Sequence, residues 1–183
     1  DITKILLDEY CKSPVDNPYI LLSENIDNIK FVMQYILEPD NYYNKILHEN
    51  IDVILKQHPD KLRWILSNVS NPHERSVYII TNYTVVKKYL KNIEHVKILF
   101  HHIHNPLLIC STRLEGRKNV FSHISDITIF KYIVDICGGA ETVFASTTTR
   151  TLLSNYSSYE IMKYILQTIP NPSEYCSLVD DKG

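Results

Sequence analysis

Phe130-Lys131-Tyr132-Ile133-Val134 places an apolar residue before a basic one, then an aromatic, then two more apolar residues, and this pattern returns along the chain. It recurs as Lys30-Phe31-Val32-Met33, Arg63-Trp64-Ile65-Leu66, Lys97-Ile98-Leu99-Phe100 and Lys163-Tyr164-Ile165-Leu166, each behind an apolar residue, at spacings of 33, 34, 34 and 32. In the third copy Ile98 takes the aromatic place. Four of the five copies also carry proline nine residues after the basic one, at Pro39, Pro72, Pro106 and Pro172, and Asn precedes three of these. Two independent features sharing one period identify an internal repeat. Lys4-Ile5-Leu6-Leu7, with Pro14 beyond it, reads as a further N-terminal copy at a shorter spacing.

Within a copy the apolar residues fall at helical intervals, as in Ile26, Ile29, Val32, Met33 and Ile36. The pattern predicts an amphipathic helix with its basic residue on the rim. The Asn-Pro pair is expected to end that helix, because proline lacks the next backbone donor and pushes its predecessor out of helical geometry. Upstream of each copy lies a shorter apolar stretch: 19–23, 51–55, 85–90, 120–124 and 152–156. Glu24-Asn25, His58-Pro59, Asn92 and Ser157-Ser158 are the polar joints between the two. The predicted unit is therefore helix, turn, helix, loop. One hairpin cannot bury its own apolar faces, so neighbours must stack, which gives an all-α solenoid forming one uninterrupted array.

The period and the second-helix pattern resemble the ankyrin repeat family. Gly139-Ala140-Glu141-Thr142-Val143, Arg150-Thr151-Leu152-Leu153 and Lys163-Tyr164-Ile165-Leu166 are similar in turn to that family's Gly-Ala-Asp loop, its Thr-Pro-Leu-His helix start and its second helix. Asn17-Pro18-Tyr19-Ile20-Leu21 stands at the equivalent start of the first full unit, and Asp180-Asp181-Lys182-Gly183 resembles the hairpin that opens a further one. No unit has an intact Thr-Pro-Leu-His, and the glycine usual between the two helices is missing. On this resemblance residues 1–16 are an N-terminal cap or partial repeat. About five repeats follow over 17–183, roughly 17–44, 45–77, 78–118, 119–148 and 149–183. Degenerate units rich in Ile, Tyr, Asn and Lys are similar to those of large DNA viruses and some intracellular bacteria.

The 183 residues can bury a core without staples. A formal charge of −2, with neither sign in a long block, speaks against nucleic acid and anionic membrane as partners. No apolar run approaches the roughly 18 residues that span a bilayer, and the first residues lack a signal-peptide layout. Cys11, Cys110, Cys137 and Cys176 show no paired metal or redox spacing and read as small buried hydrophobes, which suits a reducing, cytoplasmic setting. The sequons at Asn68, Asn82 and Asn155 read as accidents of composition. His101-His102-x-His104 with Cys110 has the right atoms for zinc, but His101 and His104 fall three apart on a helix while His102 points elsewhere, and a closed site needs a further neighbour, so they read as rim and helix-end residues. No phosphate loop, nucleophile elbow or zincin motif occurs, so neither an enzyme nor a cofactor is expected.

Tyr35, Tyr132 and Tyr164 belong to the periodic stripes and are assigned to the core. Tyr42 and Tyr43 are placed in the loop after Pro39, at the finger position that ankyrin proteins turn toward a partner. The same logic makes His73, Arg75, Arg113, Arg117 and Arg150 candidate contacts, since Tyr and Arg dominate interface energetics. The connection 107–118 is the longest predicted, and 146–151 is dense in hydroxyls. The expected function is to bind a partner protein, a host factor if the source is viral, through loop tips and the concave face of the array. Two alternatives are the substrate-recruiting part of a larger enzyme and a structural segment.

Overall fold

The computed structural model describes residues 25–36, 38–112, 119–144, 158–170 and 172–173. They are mostly helical, with no strand among them. No helix among them is long and apolar enough to cross a membrane. The predicted stretches 19–23 and 152–156, the 1–16 cap and the hydroxyl-rich 146–151 lie outside the described residues.

Contacts divide the chain into two compact units, Asp1–Ile79 and Ile80–Gly183. The first holds α1 (Ile26–Met33), α2 (Pro39–Glu49), α3 (Ile51–Ile54), α4 (Pro59–Leu66) and most of α5 (Pro72–Thr81). The second holds α6 (Tyr83–Tyr89), α7 (Ile93–His101), α8 (Pro106–Ser111), a 3-10 turn at Phe121–His123, α9 (Ile127–Ile136), α10 (Ala140–Phe144) and α11 (Tyr159–Thr168).

The five signature copies lie on α1, α4, α7, α9 and α11, and each of these helices begins at the same place relative to its copy. The caps are Asn25, His58, Asn92, Asp126 and Ser158, each five residues before the basic residue. Helix starts leave backbone N–H groups unpaired. Asn25 Oδ1 accepts from the Asp27 amide at 2.8 Å, Asn92 Oδ1 from Glu94 at 2.9 Å, and Asp126 Oδ1 from Thr128 at 2.8 Å and Ile129 at 3.0 Å. His58 Nδ1 does the same for Asp60 at 3.4 Å. The basic residue has a local reason as well. An acidic side chain three residues earlier, within the first turn, pairs with it in Asp27–Lys30, Asp60–Arg63 and Glu94–Lys97.

Proline opens helices here. α1, α4 and α7 end at Met33, Leu66 and His101, several residues before Pro39, Pro72 and Pro106, which are the first residues of α2, α5 and α8. The first helical position is the one place where a missing N–H is harmless and a fixed φ is an advantage. The expected termination by Asn-Pro is thus corrected to initiation: Asn105 caps α8 by accepting from the Leu108 amide at 3.1 Å. Ile36 is correspondingly outside α1, buried in the turn after it.

The repeating unit also has three helical segments where two were expected. A signature helix is followed by a proline-led helix and then a short segment, as in α1–α2–α3, α4–α5–α6 and α7–α8–3-10 turn. The repeat boundaries at 44/45 and 77/78 consequently fall inside α2 and α5. In the second unit α9 packs against α7, α8, α10 and α11, and α6 against the 3-10 turn, so consecutive signature helices touch. Phe121, Phe130, Ile133, Val134 and Phe144 form the centre of this core.

Candidate functional site

Counting from the cap as zero, positions 4 and 8 belong to the core face in the first four signature helices. Ile29, Leu62, Val96 and Phe130 at position 4 are fully buried, as are Leu66 and Val134 at position 8, with Met33 and Phe100 nearly so. The last copy departs from this: Met162 and Leu166 occupy the same positions and are only half-buried. With Tyr159, Lys163, Gln167, Pro172 and Ser173 they line an open, largely apolar groove of about 370 Å³. Tyr159 is 69% exposed.

What covers this face in an earlier copy is visible one unit upstream. The Tyr164 ring, at position 6 of the fifth copy, meets Phe130 edge-on at 6.1 Å and Phe144 at 6.4 Å, and Lys131 Nζ lies 5.1 Å from its centroid. Phe130 and Lys131 are positions 4 and 5 of the fourth copy. The step before repeats this register, since Lys97, at position 5 of the third copy, lies close enough to Tyr132, at position 6 of the fourth, to act on its titration. In the first unit the position-6 Trp64 instead packs edge-on against Tyr43 of α2, at 5.4 Å. In the fifth copy Lys163 instead lies 6.0 Å from the ring of its own neighbour Tyr159.

Phe31 is the position-6 aromatic of the first described copy. It is 46% exposed, and its ring meets Tyr35 of its own segment at 5.4 Å, edge-on. Tyr35, assigned to the core from periodicity, is also exposed, because α1 stops at Met33 and the stripe stops with it.

The residues singled out from the sequence are distributed differently. Tyr42 and Tyr43 are not in a loop. They lie within α2 at 3% exposure each, since Pro39 starts a helix, and burial pushes the Tyr43 phenol up to about 12. They are packing residues and present no surface to a partner. His73 and Arg75 are half-buried on α5. Arg75 acts on Asp40, whose carboxylate is held below its ordinary range chiefly by Ser70. The Ser70 hydroxyl donates to Oδ2 at 2.6 Å and its backbone amide to Oδ1 at 2.7 Å. Arg113, Arg117 and Arg150 lie outside the described residues, and the predicted long connection 107–118 begins as the helix α8.

His101 and His104 are exposed and His102 half-buried, with burial first and the His101 charge second lowering the His102 pKa. Cys110 does not join them: it is buried beside Cys137, and burial pushes its thiol up. Among the described residues no three His, Cys, Asp or Glu side chains gather in a metal-sized group.

The groove on α11 was missed from the sequence. Its residues match the core pattern of the other copies, so the sequence alone does not set them apart. Comparison of the chain with family models, with curated proteins and with solved structures finds no match.

Proposed function

We propose that this chain is a protein-interaction module, a stack of degenerate ankyrin-like helical units that seats a partner on the groove of its fifth signature helix, α11. The stack itself performs no chemistry in this reading; its role is to hold apolar side chains in a fixed array. The observation that carries it is that Met162 and Leu166 stand at positions buried in the preceding copies, beside a 69% exposed Tyr159. Exposed apolar groups that share one concave face are what an interface core needs, and tyrosine is prominent among interface anchors.

Magnitudes set the kind of binding. Fully covering one large apolar side chain contributes about 1.5–3 kcal/mol, while association costs at least about 4 kcal/mol in lost translational and rotational freedom. Two or three such side chains therefore support a weak, reversible contact, and tight binding requires additional surface.

The test is site-specific photo-cross-linking. With p-benzoylphenylalanine in place of Tyr159, irradiation in cell extract is expected to yield discrete protein adducts absent when the same residue replaces the exposed Glu141 of α10. Adducts that are identical at both sites, or none at Tyr159, would overturn the proposal.

A further inference from the structure

We infer that Cys110 and Cys137 are a redox-responsive pair, two buried thiols that close to a disulfide and tie α8 to the end of α9.

A sequence separation of 27 hides the pair, and packing of α8 on α9 brings it together. Cys110 and Cys137 share a hydrogen bond, at 0% and 5% exposure. Sulfurs in that contact reach the bonding distance of about 2 Å chiefly by side-chain rotation. The two ends of the link differ in how firmly they are held. Cys137 caps α9, its amide donating to the Ile133 carbonyl at 3.1 Å, and Gly138 and Gly139 then turn the chain away in left-handed geometry at φ 99° and 85°. α8 has six residues, and Cys110 is its one fully buried side chain, beside half-buried Leu107 and Ile109 and a 61% exposed Leu108. A helix docked through so little buried surface opens locally at low cost. Burial keeps the Cys110 thiol protonated and shielded while α8 is docked, and opening releases it.

The oxidant is a low-molecular-weight disulfide such as oxidised glutathione. The less enclosed Cys137 attacks as its thiolate, forming a mixed disulfide and expelling one glutathione thiolate. The Cys110 thiolate then attacks the Cys137 sulfur, forming the Cys110–Cys137 bond and expelling the second. The two cysteines lose two electrons, and their two protons pass through solvent to the departing thiolates, which leave as reduced glutathione. Excess reduced glutathione drives the exchange backwards. The closed form holds α8 on α9 and restricts the unfolded chain between the two residues.

The test equilibrates the full folded chain in glutathione buffers of graded oxidised-to-reduced ratio, blocks free thiols with N-ethylmaleimide and maps tryptic peptides by mass spectrometry. Peptide 98–113 joined to peptide 132–150 is expected to appear as the ratio rises and to vanish on return to reduced glutathione. The oxidised protein is expected to melt about 5–10 °C above the reduced one, a difference that Cys110→Ala and Cys137→Ala each abolish. Thiols that stay free at every ratio overturn the inference, as does a link that forms only in urea or that joins either residue to Cys11 or Cys176 instead. An oxidised form that melts no higher than the reduced one overturns the tie between α8 and α9.

Discussion

Lys131 Nζ stands 5.1 Å from the centre of the Tyr164 ring, thirty-three residues further along the chain and on the next signature helix. The contact joins the basic residue of the fourth copy to the aromatic residue of the fifth. In three other copies the tip of the basic side chain is paired with a first-turn acid; the Lys131 helix has no such acid, and its ammonium lies near the ring of the next copy.

Tyr164→Ala is expected to lower stability more than a half-exposed tyrosine would suggest, because the ring closes over Phe130, Lys131 and Phe144 together. A loss of about 2–3 kcal/mol is expected, toward the low end of large aromatic truncations. Tyr164→Phe keeps the edge contacts and is expected to cost under about 1 kcal/mol. Urea unfolding of the three proteins checks both.

Asp126 is the best-formed of the signature caps, accepting from two amides, Thr128 and Ile129. Asp126→Ala is expected to destabilise by about 1–2 kcal/mol and Asp126→Asn or Asp126→Ser by much less, since each keeps an oxygen at the cap. Ser158→Ala, at a cap whose side chain makes no such bond, is expected to be nearly silent. Thermal melts of the four variants rank them.

Asp40 gives a pH signature. Its folded pKa lies below the ordinary 3.8 because the ionised carboxylate accepts two bonds from Ser70, one from Asn44 and the field of Arg75. A depressed folded value means the unfolded chain binds the proton more readily. The stabilisation is therefore complete above 3.8 and drains away as pH falls through the lower folded value. The stability gap between wild type and Asp40→Ala is expected to be wide at pH 6 and narrower at pH 3. A gap that is constant with pH would contradict this assignment.

Tyr43 ionises only near pH 12 while the protein is folded. Titration followed at 295 nm is expected to show one late phenol that Tyr43→Phe removes. Tyr43→Ala is expected to cost about 3 kcal/mol, because it leaves a hole under Trp64. Its effect on any partner should appear only through unfolding.

The helical class and the signature helices were legible in the sequence because both follow from spacing: apolar side chains at helical intervals, counted over a fixed period, force a buried stripe. The role of proline was misread because the same residue stops a helix it follows and starts one it leads, and only the distance from Met33 to Pro39 separates the two cases. That single error carried Tyr42 and Tyr43 from a helix interior to an imagined loop tip. The groove escaped notice for another reason. Met162 and Leu166 carry the same kinds of letter as a core position, and exposure there depends on what packs over them.

The caps act as a reading frame for the fold. From each cap to its basic residue the count is always five, while the distance from one cap to the next varies between 32 and 34. Adding a residue inside the first interval would rotate every later side chain of that helix by about 100° and turn its core face toward water. Adding one between a helix end and the following cap rotates nothing, because the next cap resets the count. Length variation is therefore confined to the segments between signature helices, where the chain can gain or lose residues while Phe130 still meets Tyr164.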